Sequence, residues 1–190
     1  MIRIAILGDI GSGKSFVAKN FGYPVFNADF EVSKLYQKEK KVFNKLKKEL
    51  PNYIFSYPID KKEITKAILA KNRNLKKIIN IVHTEIKKKM KLFLKKNKNK
   101  KYIVLDIPLL LENKIDNKKD ILIFVDAKRK NIEKRLKKRK GYNKKLLTKF
   151  RKIQLKIDYK KRKSHFIIEN NFIKKTVLRD IKKIMNKINK

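Results

Sequence analysis

In 190 residues the chain carries 55 Lys+Arg against 17 Asp+Glu, a formal charge of +38, and has neither cysteine nor tryptophan. Disulfides and thiolate metal sites are thereby excluded, and no apolar run approaches the roughly 20 residues that span a bilayer, so a cytoplasmic protein with no membrane partner is expected. The charge invites a nucleic-acid partner, but the lysines run along the whole chain beside abundant isoleucine and asparagine, as AT-rich codon usage produces, and no aromatic RNA-binding motif, zinc finger or basic leucine zipper accompanies them; weak, salt-sensitive adhesion to polyanions is all that is expected.

The length suits one core with inserted subdomains. Met1 to Leu7 reads as a buried parallel strand, apolar on both faces. It runs directly into Gly8-Asp9-Ile10-Gly11-Ser12-Gly13-Lys14-Ser15, which matches Gly-x-x-x-x-Gly-Lys-[Ser/Thr]; three of the five glycines of the chain stand here. Strand, glycine loop and helix in that order form the phosphate-binding loop, with backbone N–H groups turned towards an anion and the helix dipole behind them. Nucleotide contacts are expected from Gly8 through Ser15 and from Phe16, with Lys14 on the β- and γ-phosphates and Ser15 on Mg²⁺. A glycine-rich turn that binds nothing is the plain alternative.

A helix over Lys14 to Asn20 ends at Gly22-Tyr23-Pro24, and the short strand Val25-Phe26 stops at Asn27-Ala28-Asp29. Asp29 is either the base that takes a proton from an attacking hydroxyl or the N-cap of the helix that follows. From Phe30 to about Asn97 the pattern is helical, broken at Pro51 and at Tyr57-Pro58. Ile78, Ile81, Val82, Ile86 and Met90 mark a long amphipathic helix within it. Such a block is too long for a crossover and predicts a separate lobe over 30–100. His83, beside these apolar positions, reads more readily as packed than as functional.

Tyr102 to Asp106 is a strand closing on an acid, which resembles a Walker B strand; Asp106 either holds Mg²⁺ through water or accepts bonds from loop N–H groups. Ile107-Pro108-Leu109-Leu110-Leu111-Glu112 is the loop beyond it, where Glu112 is a second-layer orienter, a substrate contact or a cap. Ile121 to Val125 is the fourth strand. Two basic helices follow over 128–140 and 143–162, joined at Gly141; in the first, Arg135 and Arg139 are four apart on one face, either folding over a nucleotide or simply solvated. His165 to Ile168 is the fifth strand, and Phe172 to Ile188 the last helix. The fold class expected is α/β, a three-layer P-loop NTPase fold whose five-stranded parallel sheet is flanked by helices. The core comprises 1–29, 101–127 and 163–190, and the lid 128–162. Ligands in such sheets bind beyond the carboxyl ends of the strands.

These residues resemble the dephospho-coenzyme A kinase family over nearly the whole chain. Gly8 to Ser15 resembles the family's glycine loop, and Asn27-Ala28-Asp29 falls where it carries Asp-Ala-Asp. Asp106-Ile-Pro-Leu-Leu-Leu-Glu112 is similar to its distinctive Pro-Leu-Leu-Phe-Glu. Arg135 and Arg139 match the paired lid arginines, Gln154 a glutamine on the next helix, and Ile167-Ile168-Glu169-Asn170 the nucleotide-side Val-Ile-x-Asn. The resemblance implies ATP-dependent phosphorylation of the ribose 3′-hydroxyl of dephospho-coenzyme A, with Asp29 as base. It puts Lys14 and Arg135 on the transferring phosphates, Arg139 and Asn170 on the nucleotide, and Mg²⁺ at Ser15 and Asp106. The acceptor is expected to meet Asp29, Lys61, His83, Pro108, Leu109, Leu110 and Glu112, and the helical lobe is expected to recognise it. Asn27 replaces an acid, Lys61 an arginine and Thr84 the proline of a His-Pro pair; Ile132 and Ser164-His165 also depart from the usual Gln and Ala-Asp. A monomer is expected, with weak self-association as the alternative. Another P-loop kinase, for nucleoside monophosphates or shikimate, and a nucleic-acid-stimulated ATPase are the competing readings.

Overall fold

The computed structural model describes residues 1–139 and 141–189. Two compact units divide the chain, one formed by the described parts of 1–27, 97–142 and 153–190, the other by 28–96 and 143–152.

The first unit is built on β1 (Ile2–Gly8), β2 (Val25–Asn27), β3 (Tyr102–Asp106), β4 (Ile121–Asp126) and β5 (Phe166–Glu169). They form one sheet in the order β2-β3-β1-β4-β5, parallel at every pairing. β1 is central because Ile4, Ala5, Ile6 and Leu7 are buried on both faces, the pattern expected of a strand covered by helices on each side. Ile4, Ile6, Val104, Ile123, Val125 and Ile168 pack with Val17 and Ala18 of α1 (Lys14–Asn20) and with Val177, Ile181 and Ile184 of α9 (Lys174–Ile188). The chain leaves β1 towards β2 and β3 and later returns on the other side as β4, so the loop after β1 lies at the reversal of strand order, where such sheets bind ligands. Register aligns Gly8 with Val125, Asn27 with Asp106, and Asp126 with Glu169, bringing all five strand ends to one edge. At the opposite end Arg3 Nη2 donates to Asp120 Oδ2 at 2.8 Å and its Nε makes an ion-pair contact with Oδ1 at 2.8 Å; burial nevertheless raises the Asp120 carboxyl above its ordinary value.

The second unit is helical: α2 (Ala28–Lys38), α3 (Lys40–Glu49), α4 (Lys61–Ala70), α5 (Asn72–Lys96) and α7 (Lys144–Lys152). α5 packs on α2, α3 and α4. Its stripe Leu75, Ile78, Val82, Ile86 and Met90 is buried, as are Leu35 of α2, Val42 and Leu46 of α3, and Ile64 and Ile68 of α4. The helical run has further breaks at Glu39 and at Lys71, both extended, and α4 starts on Asp60, whose carboxylate accepts from the Lys62 N–H.

The helix predicted over 143–162 is two helices, α7 and α8 (Ile157–Lys163), although neither glycine nor proline separates them. The two halves satisfy different partners. Lys149 of α7 donates to the terminal carbonyls Ile68 O and Leu69 O of α4 and to Asn72 Oδ1, a cation at a helix C-terminus. α8 packs on β1 and β4. The preceding helix is α6 (Arg129–Lys137); the end predicted for it at Lys140 lies outside the described residues. The stretch expected as one lid, 128–162, is thus shared between the two units.

Candidate active site

The glycine loop owes its shape to positions where a side chain cannot stand. Gly8 has φ 148°, and a Cβ there would come within 2.7 Å of both Ser12 Oγ and Val125 O. Gly13, the N-cap of α1, has φ 95° in the left-handed region, and its Cβ would collide with Asn170 Nδ2. No side chain caps α1, as an anion-binding helix start requires. Lys14 is buried, and its Nζ donates to Gly8 O at 3.2 Å and Asp9 O at 2.8 Å, so the ammonium is held over the loop by the loop's own carbonyls. The Asp9 carboxylate accepts from the Ile10 N–H at 2.6 Å and stiffens the same turn.

Beside Gly13 stands Arg135 of α6. Its Nη1 would be 3.3 Å from a Gly13 Cβ, and its guanidinium lies 4.9 Å from the Phe172 ring centroid. That Nη1 is buried without a hydrogen-bond partner, as is Ser12 Oγ on the loop itself. Burial, and then the neighbouring charge of Arg139, pull the Arg135 pKa below its ordinary value. A buried donor on a permanently charged group normally has an acceptor, because leaving it bare costs several times what an ordinary hydrogen bond contributes. The fitting acceptor at a glycine loop is an anion.

On the other side of the loop, Ser15 and Asp106 are joined through Asn27. The Asn27 amide donates to Asp106 Oδ2 at 2.5 Å and reaches Ser15 Oγ at 3.5 Å. Asp106 is 2% exposed. Beyond it, the 107–113 loop turns on itself through Asn113 N–H to Leu109 O and Ile115 N–H to Leu110 O. Glu112 closes the loop against α8: its carboxylate meets Lys160 Nζ at 2.7 Å and accepts from the Leu155 N–H at 3.0 Å.

The dephospho-CoA kinase family model matches residues 2–175. The chain belongs to the dephospho-CoA kinase family. It is 35% identical over 191 residues to a dephospho-CoA kinase of Wolbachia pipientis wMel, covering 98% of this chain and 97% of that protein. Among solved structures it is similar to a Thermus thermophilus protein, with TM-score 0.76 and 24% identity over 97% of this chain and 96% of that one. A dephospho-CoA kinase from Campylobacter jejuni shares the fold at TM-score 0.58 and 20% identity, covering 99% and 98%.

In this dephospho-CoA kinase family member, the residues singled out from sequence divide between the units. Gly8 to Phe16, Asp106, Pro108 to Glu112, Arg135, Arg139 and Asn170 belong to the first, and Asp29, Lys61 and His83 to the second. Asp29 is exposed in the first turn of α2 rather than preceding it, and Lys61 is exposed at the start of α4. His83 is half-buried in α5; its Nε2 has no hydrogen-bond partner, and burial followed by the Lys87 charge lowers its pKa. Three side chains have structural work already. Phe16 packs on the core, Leu110 is buried in it, and Asn170 donates to Ser12 O at 2.7 Å while accepting from the Phe172 N–H at 2.9 Å. Asn170 therefore clamps the glycine loop from behind. Arg139 is exposed and lies past the end of α6 at Lys137, so it does not share the helix face predicted to carry it with Arg135.

Sequence reasoning passed over Phe172 and Lys160. Phe172, at φ 66°, backs the Arg135 guanidinium, and its left-handed backbone three residues past β5 has no signature in composition. Lys160 stands in the run Lys160-Lys161-Arg162-Lys163, where nothing local distinguishes the buried cation from its solvated neighbours. The departure at His165 is explained: its Nδ1 accepts from the Leu122 N–H at 2.9 Å, which a carboxylate could equally do.

Proposed function

We propose that the chain transfers the γ-phosphoryl group of ATP to the ribose 3′-hydroxyl of dephospho-coenzyme A, giving ADP and coenzyme A. The observation that carries this reading is the Arg135 Nη1, buried and unpartnered beside Gly13, on the same loop that holds the Lys14 ammonium.

Phosphoryl transfer needs alignment and charge neutralisation more than covalent chemistry. In this reading Gly8 to Ser15 receive the phosphates. Lys14 exchanges two loop carbonyls for phosphate oxygens, and Arg135, pressed on Phe172, supplies its unpaired N–H to the charge that develops in transfer. Arg139, exposed, reaches the nucleotide from the lid. Asp29 accepts the proton of the 3′-hydroxyl as its oxygen bonds to phosphorus and the bond to the ADP oxygen breaks. Lys61 and His83 of the helical lobe, and Pro108 and Leu109 of the loop after β3, take the rest of the acceptor. Glu112 holds that loop to Lys160 and Leu155.

Ser15 Oγ and the Asp106 carboxylate are the donor pair for Mg²⁺. They would fit it: both are hard oxygen donors, brought together through the Asn27 amide, and Mg²⁺ is commonly held by one or two carboxylates together with substrate phosphates. Bound there, Mg²⁺ supplies neutralisation of the phosphate charge. The reading takes the protein as a cytoplasmic monomer; no helix of the described residues is long and apolar enough to cross a membrane.

A coupled ADP assay with Mg²⁺-ATP and a panel of dephospho-coenzyme A, nucleoside monophosphates, shikimate and single-stranded DNA tests the function. ADP is expected only with dephospho-coenzyme A. Release stimulated by DNA, with none for dephospho-coenzyme A, overturns it.

A further inference from the structure

The connection from α3 to α4 holds two aromatic rings away from the core, on backbone that is tied down from both sides. Ile54 and Ile59, 0% and 5% exposed, anchor it; Phe55 and Tyr57 between them are 63% and 41% exposed. The Glu63 carboxylate accepts from the Phe55 N–H at 3.0 Å and the Ser56 N–H at 3.2 Å, and Ser56 Oγ accepts from the Asp60 N–H at 3.2 Å. Tyr57 leans on Phe43, with ring centroids 5.5 Å apart and planes tilted by 49°. An aromatic ring stabilises a fold by being buried, so rings held out on a fixed backbone do little for this one. They suit a planar ligand, because a rigid platform spares the cost of ordering on binding.

The surroundings select the ligand. Lys47 Nζ lies 5.5 Å from the Phe43 centroid, and Lys61 and Lys62 open α4 directly after the loop, all three exposed. The acids there are committed: Asp60 caps α4, and Glu63 holds the loop. A ring joined to phosphates matches that charge. The Ile59 N–H donates to Tyr36 O at 2.9 Å, tying the loop to α2 two turns, or about 10 Å of axial rise, beyond Asp29. That is the scale of a nucleoside measured from its 3′-hydroxyl to the far edge of its base. We propose that Phe55 and Tyr57 are the stacking platform for the adenine of the phosphoryl acceptor, with Lys61 on the acceptor's phosphates and its ribose towards Asp29. The two rings set affinity and specificity for the base and take no part in phosphoryl transfer. The inference rests on dephospho-coenzyme A being the acceptor.

Dephospho-coenzyme A is titrated into wild type, Phe55→Ala and Tyr57→Ala by calorimetry, and its KM and kcat are measured in the coupled assay. The control competitor is 4′-phosphopantetheine, which carries the acceptor's tail without its base. Each alanine variant is expected to weaken dephospho-coenzyme A about 5- to 150-fold, the worth of one base stacked on one aromatic ring. The kcat, the KM for ATP and inhibition by 4′-phosphopantetheine should stay within about twofold of wild type. Tyr57→Phe, which keeps the ring, should bind as wild type does. Wild-type turnover with unchanged affinity in both alanine variants overturns the inference and leaves the kinase reading intact. An equal loss for 4′-phosphopantetheine also overturns it, since the rings would then support the lobe rather than the base. So does wild-type self-association that Phe55→Ala abolishes, which would give the rings to a second copy of the chain. No wild-type turnover overturns the kinase reading, and this inference with it. Where an alanine variant does not fold by circular dichroism, leucine at the same position, with bulk but no ring, takes its place.

Discussion

Replacing Lys160 by methionine should be among the most damaging single changes outside the glycine loop. The Lys160 and Glu112 side chains are 1% and 8% exposed and 2.7 Å apart, so the variant strands a buried carboxylate that keeps the Leu155 N–H but loses its cation. Breaking a buried pair on one side typically costs about 3–5 kcal/mol. For a protein of this size that corresponds to a drop in Tm of roughly 6–20 °C. Thermal melts of Lys160→Met, Glu112→Gln and the double variant at pH 7 form a double-mutant cycle. The double variant is expected to melt above Lys160→Met. A Lys160→Met protein within about 2 °C of wild type refutes the reasoning.

Lys14→Ala should abolish measurable ADP formation in the coupled assay while leaving the circular dichroism spectrum unchanged; residual turnover above about one per cent would argue that the loop alone neutralises the phosphates. Asp29→Asn should lower kcat by about 10²–10⁴-fold with ATP affinity, measured by calorimetry, nearly unchanged; a loss within a few-fold would reduce Asp29 to a residue of the α2 first turn. His83 has its pKa lowered from 6.5, chiefly by burial, so the folded state favours the neutral ring. Its stabilising contribution is complete above about pH 6.5 and is lost as pH falls through that value towards the lower folded one. Relative to His83→Gln, wild type should therefore lose Tm between pH 7.5 and pH 5.5, and a constant difference across that range would show that the ring does not titrate on unfolding.

The strands were legible before any coordinates because their signal is local. Ile4-Ala5-Ile6-Leu7 and Tyr102 to Asp106 are apolar runs that only a sheet covered on both faces buries, and Gly8 to Ser15 is a contiguous motif legible from its spacing, although the atoms that crowd Gly11 and Gly13 belong to residues 132–172. The same locality explains why Asp106 could be assigned to the strand end beside the loop. What misled was also local: 143–162 has a continuous helical pattern, and only packing of Lys149 on α4 and of α8 on the sheet separates its halves.

The chain's order of residues determined by itself the parallel α/β architecture, the anion-binding loop and the likeness to a kinase family, because each depends on periodicity or on neighbours along the backbone. Tertiary structure alone decided which cation among 55 is buried against Glu112, that Asn170 spends its amide on the Ser12 carbonyl, that Arg135 stands unpaired beside Gly13, and that Asn27 links Ser15 to Asp106. These pairings join residues 12 to 158 positions apart, and in so uniformly basic a chain charge and exposure at each position are set by the fold around it rather than by its neighbours in sequence.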